Sequence, residues 1–419
     1  MTGVGLRVMP HTTSTGRRVG LAMAGGGPEG AVYELGALRA LEDAIEGVDF
    51  NRLHIYVGIS SGAFLGACLA NGIRIEDMAQ AITSEPGSLR NPFRPETFFS
   101  PAGRELWQRL GTVPRLLREA VRGYLSSPED LTLGESLLRL TQALPVGIFD
   151  NEPLRLYFED LIEERGRSND FRELDARLRI VVADLDSGEA VVFGRPGFDA
   201  VPISQAVQAS TALPGLYPPV EIDGRYYVDG VLLKTVHASV ALEEGAQLLF
   251  CVNPIVPVDT VRAVEQGFMR RGRLVDRGLP TVMSQTFRTL IRSRLGAGMK
   301  AYETLFPDSD VVLLEPKRDD YRMFFTNVFS FSDRRATCEH AYREILVELR
   351  ARREELEPVL DRHGMRLRPE VLDDPERDLW KSLAEVDASE RRERQAREHG
   401  RSPEVERLDR ALARLEALV

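Results

Sequence analysis

Residues 56–63 (Tyr-Val-Gly-Ile-Ser-Ser-Gly-Ala) constrain the fold more than any other segment, because they place Ser60 between an apolar strand and an apolar helix. A sharp strand-to-helix turn of the pattern Gly-x-Ser-x-Gly exposes one hydroxyl at the edge of a sheet, where it can attack a carbonyl group. Gly58 and Gly62 leave room for the crowded backbone of such a turn. Because 35 glycines in 419 residues make chance matches common, a nucleophilic role for Ser60 needs support from other motifs.

A second glycine cluster precedes the serine turn. Residues 17–24 are predicted to form a buried strand that ends in Gly25, Gly26 and Gly27, and Pro28 then opens a helix, where its missing N–H costs nothing. Amides at the start of a helix carry the positive end of its dipole and can hold an anion. The segment has neither a Walker lysine nor a G-x-G-x-x-G register, so the sequence favours an oxyanion hole over a phosphate-binding loop.

The general base is less evident from the residues. The chain contains six histidines: His11, His54, His237, His340, His363 and His399. Only His237 lies near another candidate, and we expect it to cap or line the start of a helix, with a Ser60-His237-Asp triad as the competing mechanism. Asp229 ends an apolar strand and precedes Gly230. A carboxylate at the carboxyl end of a strand in a parallel sheet faces the binding crevice, but an ordinary Asp-Gly turn fits the same spacing.

The order of the elements predicts the fold. Strand, helix, strand and helix alternate from residue 17 to 71, which is typical of a three-layer α/β/α fold with a mostly parallel central sheet. We expect a flexible tail over 1–16, a catalytic domain over 17–345 with a helical insertion over 88–150, and a charged helical C-terminal extension over 346–419. The aromatic residues of the insertion, among them Phe98, Phe99 and Trp107, are expected to supply an acyl groove or a lid.

Composition limits the partners. A net charge of −10 gives no reason to expect nucleic-acid binding. The three cysteines stand in apolar surroundings and are predicted to be buried free thiols of a reducing compartment. No secretory signal and no apolar run of membrane-spanning length is visible, so we expect a cytoplasmic protein that is peripheral at most to a membrane or lipid granule.

Two segments suggest contacts outside the core. Residues 262–300 contain nine basic and two acidic residues among apolar ones, which suits either a helix on an anionic membrane or a solvated helix packed on the domain. The final helix, after Ser402, has a short heptad seam that suits docking on the catalytic domain or oligomerisation.

Three ordered motifs carry a resemblance to a known family. Residues 25–30 (Gly-Gly-Gly-Pro-Glu-Gly), 58–62 (Gly-Ile-Ser-Ser-Gly) and the pair Asp229-Gly230 resemble the signatures of the patatin-like phospholipase family. The segments 183–189, 209–215 and 218–221 resemble the surroundings of those signatures, so the likeness extends over about 17–345.

The resemblance implies a Ser-Asp dyad without histidine, metal or cofactor. Ser60 would be the nucleophile and Asp229 the base, and the amides of Gly25, Gly26 and Gly27 would hold the oxyanion. The glycines that support these motifs are Gly30, Gly58, Gly62 and Gly230. The chain departs from the family at Glu29, where a cation is usual, and at Val231, where Gly or Ala is usual.

The function implied is that of a serine acyl hydrolase, a lipase- or phospholipase-type esterase that cleaves long-chain acyl esters of lipids through an acyl-enzyme. Glu29 favours a neutral ester over an anionic phospholipid, because like charges repel. The alternatives are a hydrolase of an intracellular storage polyester or a thioester, and a non-catalytic lipid- or granule-binding protein of the same fold.

Overall fold

The computed structural model describes residues 18–83, 99–101, 146–163, 167–265, 273–320, 331–386 and 388. The predicted tail over 1–16, most of the predicted insertion over 88–150 and the final predicted helix lie outside the described residues.

An eight-stranded sheet forms the centre of the molecule. Its strands, in spatial order, are β11 (Asp310–Leu314), β10 (Leu248–Val252), β1 (Val19–Met23), β3 (Ile55–Gly58), β6 (Arg177–Asp184), β9 (Arg225–Asp229) and β8 (Val220–Ile222), and β7 (Ala190–Phe193) also pairs with β6. From β11 to β6 all neighbours are parallel, whereas β7 and β9 pair antiparallel with β6, and β8 pairs antiparallel with β9. The predicted mostly parallel sheet is therefore confirmed.

Helices surround the sheet. In chain order they are α1 (Gly27–Ala44), α2 (Ser61–Ala70), α3 (Ile75–Thr83), α4 (Glu152–Glu163), α5 (Ile203–Ser210), α6 (Ala238–Glu243), α7 (Thr260–Glu265), α8 (Leu279–Leu305), α9 (Phe331–Ala351), α10 (Arg353–Arg362) and α11 (Pro369–Leu372). The described residues also contain two small antiparallel pairs: β2 (Ile45–Glu46) with β12 (Arg366–Leu367), and β4 (Ser100–Pro101) with β5 (Phe149–Asp150).

The two faces of the sheet bury separate cores, because successive side chains of a strand point to opposite faces. In β1, Leu21 and Met23 join the larger core, with α1, α2 and α9. Ala22, from the same strand, joins a smaller core, with α6 and α8. This arrangement is the predicted three-layer α/β/α architecture.

The C-terminal region continues the same body. Helix α9 runs through residue 345, where composition placed the end of the catalytic domain, and Leu349 and Leu356 beyond it lie in the larger core. Further along, Arg377 forms an ion pair of 2.6 Å with Asp43 of α1, and both side chains are almost fully buried. Charges in this region therefore serve packing as well as solvation.

Two further sequence predictions bear on the environment of the chain. The three cysteines are buried and unpaired, as expected. Among the helices that the structure describes, none is both long and apolar enough to cross a bilayer.

Candidate active site

Ser60 stands at the sharp turn between β3 and α2. Its φ of 53° and ψ of −121° are unusual for a residue with a side chain. The turn depends on glycine, because a Cβ at Gly58 would lie 2.3 Å from the carbonyl oxygen of Gly62, and one at Gly62 would lie 2.5 Å from that of Met23. Backbone strain that the surrounding structure maintains is typical of functional sites.

The structure brings Asp229 next to Ser60 by strand register. Gly58 of β3 is aligned with Ile180 of β6, and two residues further along β6, at Val182, the aligned partner is Asp229 of β9. The side chain of Ser60 lies close enough to the Asp229 carboxyl group to influence its pKa. The predicted route to this position was wrong, because β9 runs antiparallel to β6, so register and not a shared parallel edge carries the carboxylate to the serine.

The environment of Asp229 favours a base that titrates near neutrality. The side chain is 2 % exposed, and burial raises its pKa from 3.8 to about 7. The hydrogen bond from the Val231 amide, at 2.9 Å, and the nearby hydroxyl of Ser60 oppose this rise by stabilising the ionised form. A carboxyl group with such a pKa can accept a proton from a neighbouring hydroxyl at neutral pH far more readily than an exposed one.

One buried helix end positions both side chains, and the role of its residues was not assigned from sequence. Ser210, the last residue of α5, accepts a hydrogen bond of 3.0 Å from the Ser60 amide and donates one of 2.8 Å to the carbonyl of Val181. The carbonyl of Ala212 accepts a hydrogen bond of 3.0 Å from the Asp229 amide. The segment 209–215, noted above only for its resemblance, thus fixes the backbone of Ser60 and Asp229 together.

Gly25, Gly26 and Gly27, which we call the glycine loop, lie against the serine. A Cβ at Gly25 would be 2.8 Å from Cβ of Ser60 and 3.4 Å from its Oγ. Gly26 is the N-cap of α1, and Gly27 is the first residue of that helix, at a φ of 62°. Among the described residues, none accepts a hydrogen bond from the three glycine amides. Amides of a first helical turn that lack partners can stabilise a developing negative charge.

The other predicted supporting glycines allow close approach of backbone segments. A Cβ at Gly30 would lie 3.2 Å from both the Pro254 ring and the Ser61 hydroxyl. A Cβ at Gly230 would lie 2.6 Å from the carbonyl oxygen of Val181. Glycine at these two positions therefore lets the segments around Ser60 pack closely.

Ser61, the neighbouring hydroxyl, is bound to a different carboxyl group. Its Oγ donates a hydrogen bond of 3.4 Å to Glu34 of α1. Glu34 is fully buried, and burial raises the pKa of its carboxyl group well above the usual value. Ser61 is therefore engaged with Glu34 of α1, whereas Ser60 is the hydroxyl that lies beside Asp229.

His237 is bound to the backbone that follows Asp229. The ring is buried at the N-cap of α6, in a left-handed conformation with a φ of 45°. Nε2 lies 3.3 Å from the carbonyl of Gly230, and since a carbonyl only accepts, this nitrogen carries the proton. Burial lowers the pKa of His237 to about 4. The histidine supports the turn that follows Asp229.

Glu29 and Val231, the two residues at which the chain departs from the family motifs, also lie at the site. Burial raises the pKa of Glu29, in the first turn of α1, to about 7, and Arg288 of α8 opposes this rise by its positive charge. Val231 is 6 % exposed, and its Cγ2 is 3.6 Å from the position of a Cβ at Gly25. A cation thus stands near Glu29 although the sequence position itself is acidic.

No group of three or more His, Cys, Asp or Glu side chains is arranged to hold a metal ion in the described part of the chain.

A family model matches the segment that contains Ser60 and Asp229. The family model for patatin-like phospholipase matches residues 21–242. Two relatives, an uncharacterized NTE family protein of Mycobacterium bovis and one of Mycobacterium tuberculosis strain H37Rv, are each 30% identical over 238 residues, which is 57% of this chain and 30% of theirs. The chain therefore spans less than a third of the length of these relatives.

Solved structures with weaker similarity include those of VipD and ExoU. VipD of Legionella pneumophila matches with a TM-score of 0.31 and 19% identity over 61% of this chain and 54% of VipD. The type III effector ExoU matches with a TM-score of 0.29 and 17% identity over 78% of this chain and 53% of ExoU.

The match of the family model over more than half of the chain decides the assignment. The chain belongs to the patatin-like phospholipase family, a family of lipid acyl hydrolases.

Proposed function

We propose that this protein is a serine acyl hydrolase that cleaves long-chain acyl esters of lipids through a Ser60-Asp229 dyad. The observation that carries the proposal is that the strained Ser60 lies beside the buried Asp229 carboxyl group, whose pKa is about 7. Membership of the patatin-like phospholipase family supports the reaction class.

The first half of the reaction forms an acyl-enzyme. Oγ of Ser60 attacks the ester carbonyl while Asp229 takes the hydroxyl proton. The carbonyl oxygen becomes an oxyanion, which the amides of the glycine loop stabilise as hydrogen-bond donors. The intermediate collapses, the alcohol leaves with the proton from Asp229, and the acyl group remains on Ser60.

The second half restores the enzyme. Water attacks the acyl carbonyl and gives its proton to Asp229, and the same amides stabilise the second oxyanion. Collapse of that intermediate releases the fatty acid, and the proton returns from Asp229 to Oγ of Ser60. His237 takes no part, because its Nε2 proton is directed to the Gly230 carbonyl.

The environment of Glu29 bears on the substrate. An ionised Glu29 would repel an anionic head group, but the raised pKa of Glu29 and the nearby positive charge of Arg288 reduce that repulsion at neutral pH. Both neutral glycerolipids and phospholipids are therefore included in the proposed substrate class.

Hydrolysis by matched serine variants tests the proposal. A medium-chain p-nitrophenyl ester and a mixed lipid extract are incubated with the wild-type protein, with Ser60→Ala and with Ser61→Ala. We expect Ser60→Ala to abolish release of both p-nitrophenol and fatty acid, and Ser61→Ala to retain it. Turnover in Ser60→Ala at the wild-type rate, with an intact fold by circular dichroism, would contradict the proposal.

A non-catalytic lipid-binding protein is the competing outcome. It predicts no Ser60-dependent turnover of any ester, while lipid binding persists in the wild-type protein and in Ser60→Ala alike.

A further inference from the structure

Helix α8, residues Leu279–Leu305, has two apolar sides. One side packs on the sheet, where Ile291, Leu295 and Tyr302 belong to the smaller core. Each residue of a helix advances about 100° around the axis, so a second set of positions faces away from that core. This second set also carries large apolar side chains.

We define the outer face of α8 as Leu279, Val282, Met283, Phe287 and Leu290. At helical spacing these five positions fall within about 140° of arc. Leu279 is 72% exposed, Leu290 is 47% exposed and Phe287 is 40% exposed. The surface of a soluble protein has scattered apolar residues, whereas a contiguous apolar stripe indicates a binding surface.

The region around this face is enriched in exposed apolar side chains. Of the 17 large hydrophobic residues that are exposed in the described part of the chain, eight lie between residues 261 and 290. Beyond the five of the outer face they are Val261, Val264 and Val275. Exposed apolar side chains are therefore concentrated in this segment, and five of them share one side of α8.

The charge of the same region is the opposite of that of the whole chain. Within the described residues from 260 to 300, the exposed basic residues are Arg262, Arg273, Arg277, Arg294 and Lys300, and the exposed acidic residues are Glu265 and Asp276. The chain as a whole has a net charge of −10. A positive, apolar surface on an acidic protein is complementary to an anionic lipid surface, which offers both negative head groups and an apolar interior.

Helix α8 also contacts both halves of the candidate active site. Arg294 donates a hydrogen bond of 2.7 Å to the carbonyl of Leu232, three residues after Asp229. Arg288 acts electrostatically on Glu29, in the first turn that follows the glycine loop. A membrane that binds the outer face of α8 therefore lies beside the helix whose arginines reach the residues after Asp229 and after the glycine loop.

We propose that the outer face of α8 and the exposed basic residues around it bind an anionic membrane surface. The apolar side chains enter the boundary between head groups and acyl chains, and the arginines and lysine contact the phosphates. Binding in this orientation places the site of a lipid acyl hydrolase against its substrate, and this last step depends on the function proposed above. Membrane binding itself does not depend on turnover.

Sedimentation with vesicles tests the proposal. The full chain, as Ser60→Ala to prevent hydrolysis, is mixed with phosphatidylcholine vesicles with and without phosphatidylserine. We expect binding to the anionic vesicles only, and we expect added salt to weaken it, because salt screens exposed charges. Equal sedimentation with both kinds of vesicle would overturn the proposal.

Variants of the outer face locate the binding surface. Phe287→Asp with Leu290→Asp should lower the partition coefficient by at least about tenfold, since two apolar side chains no longer enter the lipid. Val347→Asp is the matched control, because Val347 is 49% exposed on a different helix. We expect this control to bind like the parent protein. Unchanged binding of the double variant, or an equal loss in the control, would overturn the proposal.

Two further measurements separate the alternatives. The double variant in the wild-type background should hydrolyse a soluble short-chain ester at the normal rate and lose activity only on anionic vesicles. If light scattering shows that the parent protein is a dimer and the double variant is a monomer, the outer face binds a second copy and the membrane proposal is overturned. A protein inactive on every ester that still binds anionic vesicles through α8 would refute the proposed function and leave the membrane site standing.

Discussion

Replacing Asp229 by Asn should abolish catalysis, which needs the negative charge, and should stabilise the fold, because that charge is no longer buried. Burial raises the pKa of this carboxyl group from 3.8 to about 7. Between these pH values the unfolded chain releases a proton that the folded chain retains, so the free energy of unfolding falls as the pH rises and stays low above pH 7. A difference of about three units corresponds to about 4 kcal/mol.

Asparagine removes this pH dependence and keeps the shape of the side chain. Its Oδ1 can still accept the hydrogen bond from the Val231 amide. We therefore expect Asp229→Asn to match the wild-type stability near pH 4 and to exceed it at pH 8 by up to about 4 kcal/mol. With an unfolding entropy of about 2.1 cal/mol/K per residue, this corresponds to a rise in Tm of about 4 °C for this chain.

Thermal unfolding and ester hydrolysis, measured together across a pH series, test this expectation. The wild-type kcat/KM should rise with pH and level off above about pH 7, because the base must be ionised, and Asp229→Asn should be inactive throughout. Ser60→Ala is the matched control, since it is equally inactive but retains the Asp229 carboxyl group. Its free energy of unfolding should therefore fall with rising pH as that of the wild-type protein does. A constant Tm difference between Asp229→Asn and the wild-type protein from pH 4 to pH 8 would refute the reasoning.

Three further substitutions probe the parts that hold the site together. Gly25→Ala places a Cβ 2.8 Å from that of Ser60, so kcat/KM should fall at least about a hundredfold; normal kinetics would show that the glycine loop does not touch the reacting groups. Ser210→Ala removes the partner of the Ser60 amide, and leaving that buried donor unpaired should cost about 1–3 kcal/mol and lower kcat; an unchanged kcat would contradict the positioning role. Arg377→Ala removes the nearest cation from the buried Asp43, which retains Arg39 at 3.8 Å and the Tyr342 hydroxyl, and should lower the free energy of unfolding by about 1–3 kcal/mol in urea titrations, whereas an unchanged midpoint would show that the C-terminal segment does not support the fold.

Local patterns in the sequence were sufficient to identify the layers of the fold and the turn at Ser60. Alternating strands and helices, the glycines around the turn and Pro28 at a helix start all act over a few residues, and the structure has them where they were expected. These features depend on backbone sterics and on hydrophobic periodicity, which neighbouring residues reveal.

Interactions between distant segments could not be predicted in the same way. The direction of β9 depends on its pairing with β6. Its apolar side chains suit a parallel or an antiparallel strand equally, so the local sequence does not reveal the direction. The role of Ser210 depends on contact with a residue 150 positions earlier in the chain. Hydrogen-bonding residues at a helix end are common, so nothing in the local sequence distinguishes this one.

The C-terminal region illustrates the same difference. Its many charges predicted a polar extension, yet Arg377 is buried against Asp43. Charge counts report how polar a segment is, but the position of its ionic partner depends on the tertiary fold.

The rate at which a fluorophosphonate probe labels the protein tests the central claim most directly, because the probe reacts only with an activated serine. We predict a label on Ser60 by mass spectrometry, a rate at least about a hundredfold lower in Asp229→Asn, and a rate within a few-fold of wild type in His237→Ala. A label on Ser61, or a loss of labelling in His237→Ala as large as that in Asp229→Asn, would contradict a dyad of Ser60 and Asp229.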